Sequence, residues 1–227
     1  MQRHRAMLFD LDGTLVRTVE DHFLAWASVL KEYGIAIAPE DYFPIEGMPV
    51  RELAALFFSL GKDGSTGSRA CIEELIQKKE RYYLDHHQLR IYAGVDAFLD
   101  QLQTVSVPFG MVTAGLRHRI DNSLPPDFLS RFKVMITGDP PLRGKQHPDP
   151  YLKAAELLGA EPAECIVVEN APYGIQAAKS AGAHCVAICS TLDRSYLQGA
   201  DEIAEAFSEI HMLTSVRNLC FPGNGIR

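Results

Sequence analysis

The sequence predicts an α/β fold in which a core built on a mostly parallel sheet is interrupted by a helical insert. Short apolar runs alternate with helical patterns of about ten residues over the second half of the chain, as βαβ units do. Between the first apolar run and the others, helical patterns instead follow one another with no strand between them. Composition permits such a fold: 227 residues, 47% hydrophobic and 22% charged, can bury a core without staples. Disorder and collagen-like repeats are excluded, and a full eightfold barrel of about 250 residues would be tight.

The first strand is the apolar run from Ala6 to Phe9, which breaks at the glycine turn Asp10-Leu11-Asp12-Gly13-Thr14. The insert then begins with Glu20 to Tyr33, whose Phe23, Trp26, Ala27 and Leu30 recur at helical spacing before Gly34. Val50 to Leu60 is the second helical pattern and ends at Gly61, and Arg69 to His87 is a long third one. Gly61 to Gly67 between them reads as a loop by composition. After the Ala93-Gly94 turn come a helix from Asp96 to Gln103, a strand from Val107 to Thr113 and a helix from Leu116 to Ser123. The rhythm continues with a strand from Lys133 to Thr137, a helix from Pro150 to Leu158 and a strand from Cys165 to Glu169. It closes with a helix from Pro172 to Ala181 and a strand from His184 to Cys189. Gly159 and Gly182 stand where helix C-terminal caps are expected. The expected division is a core of residues 1–16 and 90–227 and a helical unit of residues 17–89, with the crossings near 15–18 and 88–94 as hinges.

The formal net charge of −7 and isoelectric point near 5.6 disfavour nucleic acid as a partner and require a local positive site for any anionic substrate. Five cysteines, odd in number and without a C-x-x-C, read as reduced, buried thiols. The basic start Met1-Gln2-Arg3-His4-Arg5 is followed by too short an apolar stretch for a signal peptide. No run of about 18 apolar residues predicts a membrane span, and a cytoplasmic protein is expected.

The chemistry concentrates in Phe9-Asp10-Leu11-Asp12-Gly13-Thr14-Leu15. Two carboxylates at i and i+2 after a buried strand lie at its carboxyl end, where open parallel sheets place ligand sites. Asp10 is the candidate nucleophile, since a carboxylate can carry a phosphoryl group and split one transfer into two steps. Asp12 can protonate a leaving oxygen and then deprotonate water. This segment resembles the first motif of the haloacid dehalogenase-like superfamily, beta-phosphoglucomutase-like phosphatase subgroup. The resemblance implies a Rossmann-like, three-layer parallel-sheet core with an α-helical bundle cap. Three further segments match it in order. Val112-Thr113-Ala114-Gly115 supplies Thr113, with backbone N–H groups around Ala114, for phosphoryl oxygens. Gly144-Lys145-Gln146-His147-Pro148-Asp149-Pro150-Tyr151-Leu152 supplies Lys145, a cation between nucleophile and phosphate. Val167-Val168-Glu169-Asn170-Ala171-Pro172 is similar to the acidic metal motif, with Asn170 where an Asp is usual. The resemblance implies Mg²⁺ held by Asp10, the Asp12 carbonyl, Glu169 and Asn170.

Thr18 to Trp26 is similar to the T-x-E-x-H-x-x-A-W run of the beta-phosphoglucomutase-like members, and Gly47-Met48-Pro49-Val50-Arg51-Glu52 to their substrate-facing cap loop. By that likeness His22, Arg51 and Lys79 face the active site from the cap, and Arg117 lies where a second anionic group could bind. The expected activity is hydrolysis of a small phosphorylated metabolite, such as a sugar phosphate, by a monomer or weak homodimer that engages neither nucleic acid nor membrane. Alternatives are a phosphomutase of the same chemistry and a catalytically impaired phosphate-ligand binder. A dehalogenase is disfavoured because a halide leaving group has no use for the proton of Asp12.

Overall fold

The computed structural model describes residues 4–61 and 67–220. The predicted loop at 61–67 therefore lies mostly outside the described residues. Strand β1 (Ala6–Phe9) is followed by helices α1 (Val19–Glu32), α2 (Pro39–Tyr42), α3 (Val50–Ser59) and α4 (Arg69–His86). The remaining elements are α5 (Val95–Thr104), β2 (Phe109–Val112), α6 (Arg117–Ser123), α7 (Pro126–Leu129), β3 (Val134–Ile136), α8 (Asp149–Leu158) and β4 (Cys165–Glu169). The chain ends with α9 (Pro172–Ser180), β5 (His184–Ile188), β6 (Glu202–Ala204) and α10 (Thr214–Cys220).

All six strands are parallel, in the order β3-β2-β1-β4-β5-β6. After β1 the chain builds outward through β2 and β3, then returns to the other side of β1 with β4. The carboxyl ends of β1 and β4 thus form the switch point at which such sheets open a crevice. Register aligns Phe9 with Val168 and with Met111, so the residues that follow, Asp10, Glu169 and Val112-Thr113, emerge side by side.

Alternation along β1 sends Met7 and Phe9 to one face and Ala6 and Leu8 to the other, and both faces are covered. On the first face Phe9 meets the rings of Phe98, Phe109 and Phe207 at 6.2, 6.3 and 6.2 Å, backed by α5 and Ile120 of α6. On the second, Tyr151, Ala154 and Ala155 of α8 and Ile175, Ala177 and Ala178 of α9 pack on Leu8, Val112 and Val167. A third apolar cluster belongs to the insert alone and centres on Trp26, Leu30, Leu53, Phe57 and Leu75. Ser68 caps α4 by accepting the Cys71 N–H at 3.2 Å.

Strand β6 has no counterpart in the sequence reading. At three residues, with Glu202 in front, it carries no apolar run and owes its place to pairing with β5. All five cysteines are free, but only Cys165, Cys185 and Cys220 are buried; Cys71 and Cys189 are half-buried, which corrects the expectation for those two. No described helix is long and apolar enough to cross a membrane.

Candidate active site

Asp10 leaves β1 with its N–H bound to Val168 O at 3.0 Å. The turn that follows needs Gly13, which adopts a φ of +88°; a Cβ there would also run into the side chains of Asn170 and Val19. That close approach brings the first and fourth sequence motifs together.

Lys145 is buried, and its ammonium donates to Asp10 Oδ1 and, at 2.7 Å, to Glu169 Oε1. Tyr151 OH donates to the same Glu169 oxygen at 2.5 Å, and the Asn170 N–H donates to Oε2 at 3.0 Å. One cation thus serves two buried carboxylates. Burial, opposed by Lys145 but reinforced by the charges of Glu169 and Asp12, raises the Asp10 carboxyl to about 7.

Asp12 is surrounded by donors. Arg119 forks onto it, with Nη1 to Oδ1 at 3.2 Å and Nη2 to Oδ2 at 2.6 Å. Thr18 donates to Oδ1 at 2.7 Å, and Thr113 to Oδ2 at 3.4 Å. Burial alone would raise the Asp12 carboxyl, but Arg119 and then His22 hold it well below the usual carboxylate range. His22 Nε2 lies 3.2 Å from Asp12 Oδ1, and its Nδ1 lies 2.9 Å from Lys79 Nζ. A lysine ammonium only donates, so Nδ1 accepts and the proton of the neutral ring is on Nε2, directed at Asp12. Burial, with Lys79 and Arg119 nearby, lowers His22 to about 4 and keeps it neutral. The ring stacks on Tyr83 at 4.1 Å.

Of the residues singled out in the sequence, Asp10, Asp12, Thr113, Lys145, Glu169, Asn170, His22 and Lys79 meet at this crevice, and Ala114 lines it. Arg51 reaches only the wide outer cleft, where it pairs with Glu73 and stays 59% exposed. Arg117 points away and pairs with Asp121 at 2.8 Å while its N–H is taken by Asp139. The arginine at the site is Arg119. Its position was readable, since Leu116, Arg119, Ile120 and Ser123 share one face of α6 at spacings of three and four, whereas Arg117 is on the other. Glu169, expected as a metal ligand, has both oxygens engaged by Lys145, Tyr151 and the Asn170 N–H. Glu46 and Glu80 carry no signal in the sequence, because tertiary packing alone brings them in, whereas Tyr151 lies in the same segment as Lys145.

Among the described residues no three His, Cys, Asp or Glu side chains gather as a metal site. The side-chain amide of Asn170 faces Asp10 Oδ2 at 3.1 Å and the Asp12 main-chain carbonyl oxygen at 3.3 Å, and without a cation it turns its Nδ2 to donate to both. With a cation between these groups the same amide presents its Oδ1 instead, so that three oxygens face the ion. Neighbouring ligands of an octahedral Mg²⁺ at 2.0–2.1 Å stand roughly 3 Å apart, so this hard-oxygen set fits that ion.

A family model for haloacid dehalogenase-like hydrolases matches residues 7–188. Validoxylamine A 7'-phosphate phosphatase of Streptomyces hygroscopicus subsp. limoneus is 31% identical over 210 residues, 91% of this chain and 96% of that protein. Hexitol phosphatase A of Escherichia coli (strain K12) is 31% identical over 223 residues, 92% of this chain and 94% of that protein. The crystal structure of a beta-phosphoglucomutase from Clostridium difficile matches with a TM-score of 0.81 at 22% identity, over 91% of this chain and 93% of that one, a likeness of fold.

Proposed function

The chain belongs to the haloacid dehalogenase-like hydrolases, and we propose that it is a Mg²⁺-dependent phosphatase of small phosphorylated metabolites that works through an aspartyl-phosphate at Asp10. The observation that carries this reading is the pairing of Asp10 with buried Lys145 at the sheet's switch point, with the Asp12 carbonyl and the Asn170 side-chain amide beside Asp10. Two relatives with about a third of their residues in common are named phosphatases, which supports the same conclusion.

In the proposed cycle an Asp10 oxygen attacks phosphorus in line, the bond from phosphorus to the leaving oxygen breaks, and the departing alkoxide takes a proton from Asp12. Water then attacks the aspartyl-phosphate, Asp12 takes back a proton and the bond to Asp10 breaks. Asp12 as described, a carboxylate gripped by Arg119, corresponds to its state between these half-reactions. Lys145 and the Thr113 hydroxyl hold phosphoryl oxygens, and Glu169 with Tyr151 fixes Lys145 in place. Asp10, the Asp12 carbonyl and Asn170 would hold Mg²⁺, which would supply positive charge to the phosphoryl oxygens. We assign residues 17–89 as a cap that excludes water while the aspartyl-phosphate forms.

Phosphate release with Mg²⁺ is tested on sugar phosphates, phosphoglycolate, nucleotides and p-nitrophenyl phosphate. Asp10→Asn is expected to lower turnover about a thousandfold or more, and chelation to abolish it. Absence of release from every ester overturns the reading.

A further inference from the structure

Two spaces meet between the insert and the sheet ends. A wide cleft of about 900 Å³ has Thr113 and Lys145 in its wall, and an inner chamber of about 50 Å³ has Asp12 in its wall. Val50, Glu80, Ala114 and Leu116 border both. Asp12 hands a proton to the leaving oxygen in the proposed cycle, so the first atoms of the leaving group face this chamber and the rest extend into the cleft.

The charges around the chamber can be followed one by one. Arg119 gives both terminal nitrogens to Asp12. Lys79 is taken by Glu80 at 2.9 Å and by His22, which is neutral. Each of these cations is already matched by a carboxylate, so the chamber holds no unmatched positive charge among the described residues. Arg51, the cation expected in this role, stands in the outer cleft on Glu73. Against these paired groups stands Glu46, in the loop before α3. It is only 8% exposed, lines the chamber, and among the described residues its carboxylate has no ion pair and no hydrogen bond. Glu80 Oε2 is fully buried without a hydrogen-bond partner, Arg119 Nε being 3.9 Å away. A buried acceptor without a donor is unfavourable, and a ligand that brings the donor relieves it.

We propose that Glu46, with the free oxygen of Glu80, makes this chamber selective for leaving groups that bring hydrogen-bond donors and no second anion, so that phosphomonoesters of uncharged polyhydroxy alcohols are preferred over phosphorylated carboxylic acids and bisphosphates. The inference rests on the phosphatase reading and specifies its substrate class. The same balance of charge argues against phosphomutase chemistry. Passing a phosphoryl group to a hydroxyl of an already phosphorylated sugar creates a bisphosphate, whose second phosphate this chamber would have to face.

Glucitol 6-phosphate and 6-phosphogluconate differ only in a terminal hydroxymethyl against a carboxylate. Their inhibition constants against p-nitrophenyl phosphate hydrolysis read binding whether or not either ester is turned over, and their ratio within one protein cancels any loss of folded enzyme. The alcohol is expected to bind about tenfold or more tightly in the wild type. Glu46→Gln should bring the two within about threefold, and Glu46→Lys should reverse the order. Equal binding in the wild type, or a ratio that neither variant moves, overturns the inference and leaves the phosphatase reading standing. If the wild type hydrolyses neither p-nitrophenyl phosphate nor any other ester, the phosphatase reading falls and this inference with it.

Discussion

At the carboxyl end of β1 a single ammonium, Lys145, answers two buried carboxylates, Asp10 and Glu169, and burial, only partly offset by Lys145, raises Asp10 to about 7. The sign of the consequence for metal binding follows directly. Below about 7 the Asp10 carboxyl carries a proton that the proposed Mg²⁺ would have to displace, so its affinity should fall roughly tenfold for each pH unit below that point and level off above it. Calorimetry at several pH values, in two buffers of different ionisation enthalpy, should find up to one proton released per ion bound under acid conditions. A pH-independent affinity without proton release would contradict this charge balance. Asp10, Asp12, Thr113 and Lys145 were legible in the sequence because each follows a buried strand or lies in a long specific segment. Glu46 was not, because a loop residue has no period to show which way it turns; Arg119 was readable from the face it shares with Ile120 and Ser123, but Arg117 two residues away offered a more obvious cation.

The elements hold that balance through close approaches. Helix α9 begins right after Asn170, and Gly174 in its first turns lies so near β4 that a Cβ there would overlap the Glu169 carboxylate. Gly174→Ala must therefore push α9 away from the sheet or dislodge Glu169 from Lys145. A loss of about 1–3 kcal/mol is expected by analogy with overpacked cores, read as a lower urea midpoint at unchanged slope, together with weaker phosphate binding. Full stability in this variant would mean that α9 is not seated as described. At this scale the sequence was most informative where a period repeats. The insert's first helix and helices α5, α8 and α9 were placed within a residue or two, because each carries an apolar face over two or more turns. Strand β6 and helix α7, of three and four residues, are too short to show a period and depend on their neighbours. The two crossings between core and insert are another such case. Arg17 N–H bonds Arg90 O at 2.7 Å and Tyr92 N–H bonds Leu15 O at 3.0 Å, so the two crossings pair with each other although 73 positions separate Arg17 from Arg90.

Over the whole molecule, two apolar clusters sandwich the sheet and a third fills the insert. What joins the third to the others at the crevice is charge: Arg119 of the core grips Asp12 and stacks 5.3 Å from the Tyr83 ring of the insert, while Glu80 of the insert faces it. Trp26 is the only tryptophan and lies inside the insert's cluster, 5.3 Å from the ring of Phe57. Its fluorescence therefore reports the insert, whereas far-ultraviolet circular dichroism is a sum over every helix and strand. Arg119→Met keeps the aliphatic bulk but leaves Asp12 and Glu80 as buried carboxylates short of a cation, which by comparison with broken buried pairs should cost about 3–5 kcal/mol. Because that loss falls on the seam, the insert should uncouple before the sheet does. In urea the wild type should show coincident transitions by both probes, and Arg119→Met a tryptophan transition at distinctly lower denaturant than the dichroism midpoint. If both probes shift together in the variant, the seam is held by apolar contact after all, and the buried charges around Asp12 serve the chemistry alone.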